Sequence, residues 1–116
     1  MNLTSKIESI WEYEVRDHFL PQFKIAYGPN GDWAKLFQKC PGYIKTELKQ
    51  DIDNPNIFLT IDFWQSFSAF ASIKQIIAAE YEDLDKRCNN YTLSEKHIGL
   101  FEMADIKESS TSQETT

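Results

Sequence analysis

The sequence predicts an α+β domain of element order β-α-β-β-α-β, with one antiparallel four-stranded sheet and both helices on one of its faces. Three observations predict it. Segments 7–15 and 43–64 alternate with the two-residue period of strands. Residues 70–88 repeat an apolar side chain every three or four positions, and clusters of Gly, Pro, Asn and Asp separate the segments. This order is the ferredoxin-like split βαβ arrangement. It spans residues 1–104 as a single domain, with a tail at 105–116.

The first strand follows from "IESIWEYEV" (7–15), where Trp11, Tyr13 and Val15 alternate with Ile10, Glu12 and Glu14. Phe19, Phe23 and Tyr27 then recur at helical spacing, with Pro21 tolerable in a first turn. "GPNG" (28–31) breaks that helix, and Asp32 is placed to cap a second piece. In this piece Trp33, Leu36, Phe37 and Cys40 share a face, and Pro41-Gly42 ends it. "YIKTELKQ" (43–50) and "IFLTIDFW" (57–64) form a hairpin around the turn chemistry of "DIDNPN", the second strand being central. Ser66 or Ser68 caps one long helix, whose stripe is Phe70, Ile73, Ile77, Tyr81, Leu84 and Cys88. The last strand is expected over 95–103. Beyond it, "ADIKESSTSQETT" has too little apolar content to pack and is expected to be disordered.

The chain has 116 residues, 41% apolar and 26% charged, enough for one domain burying roughly 65% of its unfolded surface. Eight Phe, five Tyr and three Trp supply large packing units. No apolar run approaches the ~20 residues that span a bilayer, and the first ten residues lack a signal-peptide layout, so a cytoplasmic protein with no membrane partner is expected. The net charge of −6, with the twelve basic residues scattered, argues against nucleic acid. Cys40 and Cys88 match no metal spacing and read as buried thiols. The two histidines lie on different elements, with no third ligand in register, so no metal site is expected.

The greasier side of each strand should face the helices. Those sets are Trp11/Tyr13/Val15, Ile44/Thr46/Leu48, Leu59/Ile61/Phe63 and Ile98/Leu100. The opposite face then holds Ile10, Glu12, Glu14, Tyr43, Glu47, Phe58, Thr60, Asp62, Trp64, His97, Gly99 and Phe101. A face left to water should be polar throughout. Four aromatics among carboxylates signal instead a pocket or an interface, and an isologous homodimer of two facing sheets is the expected cover.

At "PGYIKTEL" (41–48), "DNPNIFLTIDFWQSFSAF" (53–70) and the closing strand, the sequence resembles the antibiotic biosynthesis monooxygenase domains of the dimeric α+β barrel superfamily. "YGPNGDWAKLF" (27–37) is similar to an uncharacterised bacterial branch of the same domains. The resemblance runs from about Trp11 to Glu102. It implies a homodimeric barrel with a cleft in each subunit, and in its cofactor-free members oxidation of an activated phenolic substrate by O2. Such a protein need only hold the substrate in a dry cleft, accept a proton and stabilise an oxyanion.

On these grounds Asp62, Glu47 and His97 are the acid/base candidates, and Trp64, Tyr43, Phe58, Phe101 and Glu12 the binding candidates. Trp64 matches the family's tryptophan, and either lines the pocket or packs an interface. A carboxylate among aromatics would have a raised pKa, as a base near neutral pH requires, and one ion pair would cancel that effect. The haem-degrading branch needs a histidine on the second long helix and an asparagine on the first strand. Residues 66–90 and 7–16 contain neither, which argues against haem breakdown. No nucleophile elbow or phosphate loop occurs. The expected function is a cofactor-free monooxygenase-like homodimer taking a small aromatic or polyketide-like molecule. The alternative is a non-catalytic binding or structural dimer.

Overall fold

In the computed structural model, which describes residues 5–104 and 106, β1 (Ile7–Val15) runs into α1 (Leu20–Tyr27) through a single 3-10 turn. The chain continues as α2 (Asp32–Phe37), β2 (Tyr43–Gln50), β3 (Ile57–Trp64), α3 (Phe67–Ala71), α4 (Ile73–Cys88) and β4 (Thr92–Phe101). All strand pairs are antiparallel in the order β2-β3-β1-β4, which places β3 and β1 at the centre. The expected α+β architecture is present. The tail beyond residue 104 lies, Ile106 apart, outside the described residues.

Local chemistry explains the breaks. Gly31 sits before α2 in extended conformation, where a Cβ would collide with the carbonyl groups of Ile25 and Ala26. Asp32 is therefore the first helical residue rather than the cap, and its carboxylate faces the helix dipole. Gly42, at φ +90°, turns the chain into β2. Ser66 caps α3 as expected, its Oγ accepting from the N–H of Ala69 at 3.1 Å.

The single long helix expected over 66–88 is divided. The Ser72 hydroxyl donates to the carbonyl of Ser68 at 2.8 Å, a local bond that competes with the helical ladder and bends it. A second irregularity falls at Ile77, whose φ of −127° and ψ of 31° are not helical. β4 starts at Thr92, ahead of the expected residue 95, because it continues the pairing with β1 to Val15.

The sheet faces require a correction. β1 turns Trp11, Tyr13 and Val15 toward the helices, as expected, with Ile7 and Ser9 on the same side, but β3 is turned over relative to expectation. Its register pairs Ile61 with Ile10 and Leu59 with Glu12, on the open face. Phe58, Thr60, Asp62 and Trp64 consequently lie under the helices. β3 is apolar on both sides, so greasiness alone does not choose a face, and a one-residue shift exchanges the two sets completely. Volume chooses instead: Trp64 and Phe58 are 0% and 1% exposed, and fill the space beneath α1, α2 and α3. Trp64 meets Phe37, Tyr43 and Phe70, while Phe58 meets Phe23.

The edge strands show the same effect in part. A register shift between Tyr43 and Lys45 turns Tyr43 inward and Ile44 outward, leaving Thr46 and Leu48 on the helix side as expected. In β4 one of two irregularities falls at Ile98, so that His97 and Leu100, opposite Trp11 and Ser9, face the helices. Glu12 and Phe101 lie on the open face, where Phe101 pairs with Glu8. Among the described residues no helix is long and apolar enough to cross a membrane.

Candidate functional site

The inversion of β3 carries Asp62 into the space between sheet and helices. There it joins a cavity of about 50 Å³ walled by Trp11, Tyr13, Tyr27, Trp33, Phe37 and Tyr81, with Thr46 and Thr60 on the sheet floor. Asp85 and Glu95 complete the lining, and both are exposed. No lysine, arginine or histidine belongs to this lining.

Asp62 is held from the neighbouring strand. The Thr46 hydroxyl donates to its Oδ1 at 2.6 Å, and Thr46 in turn lies 2.7 Å from the phenolic oxygen of Tyr43. The register makes this possible by placing Thr46 directly opposite Asp62. If Thr46 gives its only proton to the carboxylate, the Tyr43 hydroxyl must be the donor to Thr46. The order is then Tyr43 to Thr46 to Asp62, and Oδ2 is left without a partner among the described residues.

Burial among the aromatic walls pushes the Asp62 carboxyl up to about 6, against the lowering effect of the Thr46 bond. The phenols around it are raised too, Tyr13 and Tyr27 chiefly by burial and Tyr81 by burial and then by Asp85. Glu95 is raised by burial and by the like charge of Asp85. The cavity thus has aromatic sides, a carboxylate that gains or loses a proton just below neutral pH, and phenols that stay protonated.

A second, more open cleft of about 300 Å³ adjoins it, bordered by Trp11, Phe70, Ile73, Lys74, Tyr81 and His97. His97 packs against Trp11 with ring centroids 4.8 Å apart and the planes tilted by 31°, and its Nε2 lies 3.3 Å from Ser9 Oγ.

The residues expected to form one site are therefore distributed. Asp62 lines the inner cavity, His97 the outer cleft, and Tyr43 reaches Asp62 through Thr46. Trp64 and Phe58 lie in the core beside the cavity, not in its wall. The Trp64 indole N–H is buried without a hydrogen-bond partner among the described residues. Glu47 stands on the open side of edge strand β2, where hydrogen bonds and charge from Lys45 and Lys49, at 3.0 and 3.5 Å, hold its carboxyl below the usual range. Glu12 and Phe101 are likewise on that other side. Thr46, Tyr13 and Tyr81 belong to the site and were not expected there. The pairing of Thr46 with Asp62 is the signal that, with β3 in its true register, would have exposed them. Among the described residues no three His, Cys, Asp or Glu side chains gather as a metal-ligand set.

No family model matches the chain, and none of the curated proteins matches it in sequence. Solved structures do match. The cofactor-independent oxygenase SnoaB from Streptomyces nogalater is 17% identical, at a TM-score of 0.65 over 91% of this chain and 99% of that one. A protein provisionally named an antibiotic biosynthesis monooxygenase, from Nitrosomonas europaea, is 15% identical, at 0.66 over 88% and 93%. A conserved protein from Methanosarcina mazei Go1 gives 14%, 0.65, 85% and 93%. Likeness at these identities extends to the arrangement of the backbone: the chain has the fold of the antibiotic biosynthesis monooxygenases.

Proposed function

We propose that this protein is a cofactor-free, monooxygenase-like homodimer in which Asp62 takes the proton of a small hydroxylated aromatic molecule. The observation that carries the reading is Asp62 itself, half-buried among aromatic walls and poised near pH 6, with one oxygen fixed by Thr46 and the other without a partner among the described residues. A base of this strength removes a phenolic proton only from an activated, acidified substrate, and its efficiency is greatest near its own pKa. The electrons for O2 then come from the deprotonated substrate. The aromatic walls offer faces on which a flat ring can stack, and the fold shared with a cofactor-independent oxygenase supports the same reading.

Oxygen uptake with a panel of hydroquinones and anthrones tests it. The expected result is turnover that Asp62→Asn lowers by about 10²–10⁴-fold, the range of a lost general base. No uptake from any member of the panel would overturn it.

One observation favours a second reading. A cavity of about 50 Å³ is smaller than the ~150 Å³ that accommodates benzene, because the protein's own aromatic rings fill the space. A non-catalytic dimer is the function that fits a cavity which never enlarges.

The homodimer rests on the open sheet face. Ile10, Leu59, Ile61 and Phe63 stand there among Glu8, Glu12 and Lys96, more apolar at its centre than a wet face allows. A second copy of the chain placed sheet to sheet covers it by the commonest symmetry of soluble oligomers.

A further inference from the structure

Tyr81 stands in the wall of both the inner cavity and the outer cleft, and so does Trp11. Among the described residues these two alone line both spaces, Asp62 lining the inner one and His97 the outer. They are held very differently. Trp11 is on central strand β1 and is clamped by Tyr13 and His97, at centroid distances of 6.3 and 4.8 Å. Tyr81 is on α4, half-buried, and its hydroxyl makes no hydrogen bond among the described residues. Its ring touches Trp33 edge-on at 5.0 Å, and the ammonium group of Lys74 lies 4.9 Å from its centroid on the solvent side.

Tyr81 also has somewhere to go. It borders an open surface groove lined by Lys74, Ala78, Glu82 and Asp85. The helix departs from regular geometry at Ile77, one turn before it, where irregular turns give a helix room to adjust.

We propose that Tyr81 is the movable partition of one divided chamber and so fixes the size of the ring system admitted. The ligand class is a hydroxylated aromatic of two fused rings, with its hydroxyl at Asp62 and its far ring between Trp11 and Phe70. The outer space, about 300 Å³, is already at the lower end of the ~300–1,000 Å³ range of small-molecule pockets but does not reach Asp62; joining it to the inner space of about 50 Å³ does. Entry requires the phenol ring to swing into the groove, which a bound ligand's contacts must offset. The inference rests on the preceding reading for the place of the hydroxyl, but not for the existence of the chamber.

Calorimetric titration with 2-naphthol, on the wild-type chain and on Tyr81→Ala, Tyr81→Phe and Tyr81→Trp, tests the partition. Tyr81→Ala is expected to bind about tenfold more tightly than wild type, Tyr81→Trp at least tenfold more weakly, and Tyr81→Phe within twofold. A second measurement needs no variant. Bound 2-naphthol on the wild-type chain should show magnetisation transfer at once to the Thr60 methyl in the inner cavity and the Ala71 methyl in the outer cleft. Equal affinities across folded variants, transfer to one methyl only, or no binding by any form each overturns the inference. Binding as expected without oxygen uptake defeats the chemical reading and leaves the chamber standing.

Discussion

Asp62 is subject to two opposing influences, the aromatic surroundings that favour its neutral form and the Thr46 hydroxyl that favours its anion. The first is larger, so its carboxyl sits near 6 rather than 3.8. Removing the second should make the imbalance greater. A hydrogen bond to a charged group contributes about 1.5–3 kcal/mol, so Thr46→Val is expected to raise Asp62 further by about one to two pH units. Carboxyl carbon shifts across a pH series measure this. The same group links stability to pH. In the unfolded chain Asp62 loses its proton near pH 4, whereas folded it keeps the proton to about 6. The neutral carboxyl therefore contributes stability that is full below pH 4 and lost as pH rises through 6. Asp62→Asn should remove that dependence and raise stability at pH 8 by at most about 3 kcal/mol, less to the extent that water reaches the carboxylate. Thermal melts of both forms at pH 4 and pH 8 check it.

At the scale of elements, the legibility of the sequence depends on what periodicity can see. β1 is plain because its two faces differ, with Tyr13 and Val15 against Glu12 and Glu14. β3 is not, because Leu59, Ile61 and Phe63 on one side balance Phe58 and Trp64 on the other, and pairing with β1 and ring volume decide. The same ambiguity hides the site, since Asp62 moves with its strand and Thr46 gains its meaning only opposite it. The divided helix is hidden for a different reason: Ser72 continues an acceptable helical pattern, and its back-bond to Ser68 is visible only in three dimensions. Gly42, by contrast, is a clear stop. At φ +90° with the Ala69 methyl 2.5 Å from where a Cβ would stand, Gly42→Ala should cost about 1–3 kcal/mol, read from urea denaturation. An unchanged midpoint would show that the turn into β2 tolerates a side chain.

For the whole molecule, the layered arrangement leaves one face of the sheet without helices. The inverted β3 takes Phe58 and Trp64 off that face and puts Leu59, Ile61 and Phe63 on it, with Ile10 and Ile61 paired at its middle. The homodimer proposal therefore rests on these aliphatic side chains and Phe63, not on the aromatics expected there. Leu59→Arg places an unpaired charge in the centre of that face, and is expected to convert a dimer to a monomer at micromolar concentration by sedimentation velocity. A monomeric wild-type chain would remove the barrel from the account.

Everything chemical depends on the proton held between sheet and helices. The direct measurement is the titration of Asp62 followed at its own carboxyl carbon in the wild-type chain. A midpoint near pH 6 is the predicted result; a midpoint near 4, the value of a solvated aspartate, would contradict it.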